Sequence, residues 1–189
     1  KKSNINFENY PVLDIGCGRG EWLKILKDMK IKAKGIDLNQ VMIETCQSSR
    51  LDVQKEDAID FLNTLEAESI GAITGFHIVE HIPFPVLINL FDECLRVLTS
   101  NGVAIFETPN PENLMVGSCN FYTDPTHLNP IPPHTLSFML TQRGFTEINV
   151  LRISSPDAIP ERLNVDMELR EIIGSYYKEQ DYAVIAKKF

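Results

Sequence analysis

The sequence predicts an α/β fold, a mostly parallel sheet with helices on both faces. Two observations predict it. Short apolar runs bounded by turn formers alternate with segments of helical period, which is the grammar of βαβ units. A glycine turn, Gly16, Gly18 and Gly20, then sits where the first strand hands over to the first helix. The chain of 189 residues is 43% hydrophobic and 23% charged, the balance of one soluble core spanning 1–189.

Each element has its own signal. The first strand is expected over 11–15, and a helix follows over 21–29 with Trp22, Leu23, Ile25, Leu26 and Met29 on one broad face. Residues 32–37 make a second strand. Asn39 caps a helix over 40–47, residues 51–53 make a short third strand, and Asp57 caps a helix carrying Ile59, Phe61, Leu62 and Leu65. Residues 70–76 read as a buried strand. Leu87, Leu90, Phe91, Cys94, Leu95 and Leu98 recur at intervals of three and four, a helix over 86–98 stopped by Asn101 and Gly102. The fifth strand is expected over 103–107. Residues 108–133 contain six prolines and no period, a long loop whose apolar and aromatic content predicts an ordered cover over the site. A helix over 134–142, a strand over 145–153, a helix over 162–177 and a strand over 182–187 bring the strands to seven. The acidic stretch 166–179 reads as a solvated helix face.

Charge and cysteine usage narrow the function. A net charge of −8, with no cluster of Lys and Arg, argues against nucleic acid and anionic membrane as partners. No run approaches the roughly 20 apolar residues of a spanning helix, and no leader pattern opens the chain. The reading is a cytoplasmic domain. It begins at Lys1 rather than Met, as expected of one domain cut from a longer protein. Cys17, Cys46, Cys94 and Cys119 are spread singly, without a zinc-knuckle or dithiol spacing; Cys17 in the glycine turn reads as a small residue tolerated at a tight bend.

The strongest motif is Val12-Leu13-Asp14-Ile15-Gly16-Cys17-Gly18-Arg19-Gly20. Alternate glycines let a backbone approach a ligand at positive φ, and the helix beyond offers free N–H groups. A dinucleotide site would set its third glycine one position later, which disfavours a nicotinamide oxidoreductase. Asp14 would repel a pyrophosphate but suits an ammonium group, directly or through water. Asp37, ending the second strand, can accept both ribose hydroxyls of an adenosine, and Leu38 can cover the adenine. Asp57 can accept from the adenine amino group or serve as a plain helix cap. Together they describe a pocket for an adenosine with an amino-acid tail and no phosphate, which is S-adenosylmethionine.

On these residues the sequence resembles the class I S-adenosylmethionine-dependent methyltransferases. The resemblance implies a Rossmann-like seven-stranded sheet in the order 3-2-1-4-5-7-6, the last strand antiparallel, with cofactor contacts from residues 14–20, Asp37, Asp57 and Ala58. Three blocks are more specific: Phe76-His77-Ile78-Val79-Glu80-His81-Ile82, Glu107-Thr108-Pro109-Asn110-Pro111-Glu112-Asn113, and Asn120-Phe121-Tyr122-Thr123-Asp124-Pro125-Thr126-His127. They are similar to methyltransferase domains of bacterial O-antigen and other surface-polysaccharide assembly proteins, chain terminators included. That implies a saccharide or lipid-linked glycan acceptor, methylated at a hydroxyl or a terminal phosphate, and fused or associated glycosyltransferase or kinase domains through which the domain would meet the inner face of the plasma membrane. The alternatives are a small-molecule methyltransferase of the quinone-pathway type and a module that binds the cofactor without chemistry.

His77, Glu80 and His81 fall at the end of the fourth strand, beside the first, where open α/β sheets bind ligands. The backbone near His77 is expected along the methionine part. His81 faces the acceptor or caps the next helix. Glu80 and His81 could ligate a divalent ion, but two ligands without a third predict no metal. His127 is the candidate general base, oriented by Asp124, or else a pin for the loop. Tyr122, Glu80 and Asn110 are the candidates for holding the acceptor. A phosphate acceptor would need no base and would shift weight to Arg19 or Arg143. Trp22, Phe7, Tyr10, Phe121 and Phe138 could stack on a ring, with core packing the competing role for Trp22.

Overall fold

The computed structural model describes residues 5–154 and 166–189. Seven strands form one sheet in the order β3-β2-β1-β4-β5-β7-β6. These are β1 (Val12–Ile15), β2 (Ala33–Asp37), β3 (Val53–Lys55), β4 (Ile70–Phe76), β5 (Leu98–Pro109), β6 (Thr146–Ile153) and β7 (Asp181–Lys187). The first five are parallel, and β7 runs antiparallel to both β5 and β6. The expected fold class and order therefore hold.

Between the strands run α1 (Glu21–Asp28), α2 (Gln40–Ser48), α3 (Ala58–Thr64), α4 (Phe84–Val97), α5 (Leu114–Ser118), α6 (Pro133–Arg143) and α7 (Met167–Tyr176). The four residues of β1 are all buried. Leu13, Ile15, Ile36, Ile73, Phe91 and Phe106 form the centre of the largest core cluster. Parallel strands covered on both faces must be apolar throughout, and that is why these segments read as continuous rather than alternating runs. Ile15 pairs with Ile36 on one side and Gly75 on the other, so the chain leaves β1 at the place where the sheet order reverses.

The departures from expectation have local causes. The third strand starts at Val53, two residues late, because α2 ends in a left-handed turn at Arg50 (φ 55°) with Arg50 N–H on the Gln47 carbonyl and Leu51 N–H on that of Cys46. This is a Schellman closure, and it turns Leu51 inward onto Cys17, Leu23, Ile43 and Cys46 instead of into the sheet. The fifth strand extends beyond 103–107 at both ends, since β7 pairs with it from Val103 to Pro109 and Leu98 pairs with Ile70. The segment expected as a loop over 108–133 is ordered and partly helical. Asn113 accepts from the Met115 and Val116 amides to start α5, and a 3-10 turn covers Asn120–Thr123. Neither is long enough to leave a period in sequence. The start of the last helix, expected at 162, lies outside the described residues.

Candidate functional site

The glycine turn is held in left-handed backbone, with φ of 68° at Gly16, 52° at Gly18 and 75° at Gly20. Gly18 and Gly20 are glycine for different reasons. A Cβ at Gly20 would lie 2.5 Å from Leu51 Cδ1 and 2.8 Å from Cys46 Sγ, whereas one at Gly18 meets nothing within 4 Å. Gly20 is thus fixed by the fold, and Gly18 by its φ and by whatever sits above it. Gly20→Val should lower the Tm of the free protein. Gly18→Val should stay folded, with a backbone cost on the order of 1–2 kcal/mol, and lose cofactor affinity. Thermal melts and calorimetry separate the two, and equal melting losses would refute the distinction.

The Asp37 carboxylate ties the turn to β2: Oδ2 accepts the Gly18 amide (2.9 Å) and Oδ1 accepts that of Asn39 (2.7 Å). Beside it a cavity of about 320 Å³ opens at the carboxyl ends of β1, β2 and β4. Gly16, Asp37, Leu38, Asp57, Ala58, His77 and His81 line it, which brings together seven residues chosen from sequence. Asp57 both lines the cavity and caps α3, its Oδ1 accepting from the Ile59 and Asp60 amides. Gly18, Gly20 and Asp14 lie outside the lining. The Cys17 thiol is buried and pushed up by that burial, an idle group.

Asp14 is 2% exposed under the turn, where the Thr74 hydroxyl donates to its Oδ1 (2.7 Å). Burial pushes its carboxyl up to about 7, the hydrogen bond from Thr74 opposing and the nearby Asp37 charge reinforcing the rise. The group is therefore neutral in acid and ionised above neutrality. S-adenosylmethionine is a cation at sulfur and at its amino group, so it should bind the ionised form better. Affinity should rise by up to about tenfold between pH 6 and pH 8, and Asp14→Asn should flatten that rise. A wild-type affinity independent of pH would refute the contact, direct or through water.

At the far end of the cavity stand the histidines. The His77 backbone is left-handed (φ 51°), its amide donating to the Glu107 carbonyl (2.9 Å). The ring sits among three carboxylates, with Nδ1 3.3 Å from Glu80 Oε1 and Nε2 3.4 Å from Glu107 Oε1 and 4.0 Å from Asp181 Oδ1. The carboxylates of Glu107 and then Glu80, which the ring N–H groups face, push its pKa up to about 10 against the opposing effect of burial, so it is an imidazolium at neutral pH. Sequence assigned only its backbone; the charged ring is the addition. Glu80 is buried, with the Thr108 hydroxyl on Oε2 (2.9 Å) and no aligned hydrogen bond to Oε1.

His81 follows in a 3-10 turn, Val79–His81, and does not cap α4, whose cap position is Pro83. Its Nδ1 lies 3.2 Å from the Thr126 carbonyl. A carbonyl only accepts, so Nδ1 carries a hydrogen, and Nε2 is the acceptor atom of the neutral ring. The same logic holds for His127, whose Nδ1 is 2.6 Å from the Phe121 carbonyl. The two rings meet edge to face, centroids 4.7 Å apart. Asp124 does not orient His127: its Oδ1 takes the Thr126 amide (2.8 Å) and hydroxyl (2.6 Å), which hold its carboxyl below the usual range. The Phe121 carbonyl does the orienting. Asn110 is also corrected, being fully buried and spent on the Glu179 carbonyl and the Glu112 amide. Tyr122 is 60% exposed, its ring on Phe121. Trp22 packs on Phe76 at 5.7 Å, the core role.

Glu80, His81 and His127 each offer one ligand atom, all within 4.8 Å of one another. The ground for expecting no metal, the lack of a third ligand, is therefore corrected. Two imidazoles and a carboxylate suit a transition metal such as zinc or manganese, which would polarise an acceptor hydroxyl. The His77 imidazolium already answers Glu80, so an ion would compete with that charge. Glu107, Asp181, Thr108 and Thr126 were not singled out from sequence as site residues; Glu107, ending a strand beside β4, carried a positional signal.

The model of the methyltransferase domain family matches residues 2–150. An S-adenosylmethionine-dependent methyltransferase of known structure from Archaeoglobus fulgidus is 34% identical, with a TM-score of 0.82 over 96% of this chain and 88% of that one. Haemonchus contortus phosphoethanolamine N-methyltransferase 2, solved with S-adenosyl-L-methionine, shares the fold at 16% identity, with a TM-score of 0.72 over 95% of this chain and 49% of that one. The ubiquinone biosynthesis O-methyltransferase of Histophilus somni is 31% identical over 108 residues, 52% of this chain and 44% of that protein. A probable S-adenosylmethionine-dependent methyltransferase of Mycolicibacterium smegmatis is 24% identical over 136 residues, 71% of this chain and 51% of that protein. The chain spans about half the length of the curated relatives it matches. A family model over most of the chain and a fold shared with the archaeal enzyme nearly end to end leave one assignment: the chain belongs to the methyltransferase domain family, in its class I, S-adenosylmethionine-dependent form.

Proposed function

We propose that the domain transfers the methyl group of S-adenosylmethionine to a hydroxyl oxygen. The observation that carries this reading is His127: its Nδ1–H is committed to the Phe121 carbonyl, which leaves Nε2 as a proton acceptor beside His81 at the end of the cofactor cavity. In the step, a lone pair of the hydroxyl forms the new C–O bond as the C–S bond breaks in line, S-adenosylhomocysteine leaves, and the hydroxyl proton passes to His127 Nε2.

A terminal phosphate fits less well. Glu80, Glu107 and Asp181 surround the His77 imidazolium that lines the cavity, so its charge is already answered. Arg19 is paired with Glu21 and Arg143 with Asp92, so the arginines expected to position a phosphate are engaged elsewhere. A saccharide hydroxyl is the acceptor that the three sequence blocks suggest, on a glycan assembled at the cytoplasmic side of a membrane. No helix among the described residues is long and apolar enough to cross one. The second reading, a phenolic hydroxyl of a quinone precursor, is favoured by the names of curated relatives such as the Histophilus protein. Labelled methyl transfer to sugar, phosphosugar and catechol acceptors tests all three. A label located on a phosphate oxygen, with every hydroxyl unlabelled, would overturn the hydroxyl reading.

A further inference from the structure

A second cavity, of about 170 Å³, opens between the start of α4 and residues 129–135. Val79, Ile82, Phe84 and Leu87 form one wall; Ile131 and Met139 stand in the other. Its lining carries no charged side chain, and Asn129 and Thr135 are its only polar residues apart from backbone. Ile82 also lines the cofactor cavity, so the two spaces share a wall one residue from His81. The walls are built rather than loose. Leu128 N–H donates to the Glu80 carbonyl (2.8 Å), and the buried Tyr182 hydroxyl donates to that of Ile131 (2.7 Å). Pro130, Pro132 and Pro133 fix φ along the same segment. Phe84 at the mouth is 60% exposed and Leu128 47%, apolar surface left uncovered beside a polar site.

We propose that this groove takes a hydrocarbon chain, alkyl or isoprenoid, carried by the acceptor next to the hydroxyl that is methylated. The inference rests on the hydroxyl reading above and narrows it to amphiphilic acceptors. Three features select this occupant. The groove adjoins the site across the single side chain of Ile82, so a chain attached to a headgroup held beside His81 has only that side chain to pass. It is too small for a helix or strand of a partner protein. Its lack of charge rejects a phosphate link or a further sugar at this depth, because a buried polar group without a partner is costly.

The test uses binding, so that it stands whether or not turnover is seen. Affinities of methyl to octyl β-glucosides and of catechol to 4-hexylcatechol, below their micelle concentrations, are measured by calorimetry with S-adenosylhomocysteine present. Each methylene that enters the groove should tighten binding by about fourfold until the groove is full. Thr135→Phe, which fills the groove, and Phe84→Ser, which opens its mouth, should flatten the series while S-adenosylhomocysteine affinity stays unchanged. A series flat in the wild type overturns the proposal, as does one whose slope survives both variants. A flat series together with a dimer that Thr135→Phe dissociates would assign the groove to subunit contact, which also overturns it. Failure of methyl transfer to every hydroxyl acceptor, with the chain-length slope intact, would count against the hydroxyl reading and not the groove.

Discussion

His127→Ala should lower turnover by about 10²- to 10⁴-fold while leaving S-adenosylmethionine affinity nearly intact, the usual worth of a positioned base. The ring is absent from the lining of the cofactor cavity, so its loss should not reach the adenosine contacts. Alanine also deletes the hydrogen bond to the Phe121 carbonyl and the packing on Phe121 and His81. His127→Asn separates the roles, since its amide can still donate to that carbonyl but cannot take a proton. If His127 is the base, asparagine should be nearly as inactive as alanine. Rescue by asparagine would return the residue to pinning the loop. Asp124→Asn should cost only a few-fold, because its carboxylate serves Thr126 and not His127.

Asp37→Ala should weaken S-adenosylmethionine by on the order of 1–3 kcal/mol, roughly 5- to 150-fold. The side chain carries two loads. It accepts the Gly18 and Asn39 amides, which set the glycine turn against β2, and it lines the cavity where ribose hydroxyls would add to those bonds. Asp37→Asn keeps one acceptor oxygen and should lose less. Calorimetry on the folded variants is the measurement, and unchanged affinity in the alanine variant would remove the ribose assignment.

The parts of this molecule that could be read from sequence are the local ones. Glycine at alternate positions, an acid ending β2 and Asn39 capping α2 each act within a few residues, and composition reports them directly. The buried strands could be read for the same reason, as apolar runs with turn formers at both ends. What could not be read depends on partners distant in the chain or without side-chain identity. His127 is oriented by a backbone carbonyl, which no motif encodes, so Asp124 was the natural but wrong choice. The carboxylates around His77 arrive from the turn after β4 and from the ends of β5 and β7, and only the antiparallel register of β7, Pro109 opposite Asp181, brings the last of them near. Asn110 resembled a site residue because it stands in a polar block, yet its amide closes the chain at Glu179. The third strand slipped by two residues because a left-handed arginine, rather than a glycine, closed the preceding helix.

The central claim is transfer of the methyl group to a hydroxyl oxygen with His127 as base, and its most direct measurement is the fate of the label. The protein would be incubated with S-adenosylmethionine carrying a ¹³C methyl group and a panel of alcohol, phosphosugar and amine acceptors. The methyl carbon of the product would then be identified by NMR in the wild type and in His127→Asn. The expected result is a methyl ether, formed by the wild type and lost in the variant. A methyl phosphate ester or an N-methyl product, formed equally by both proteins, would contradict it.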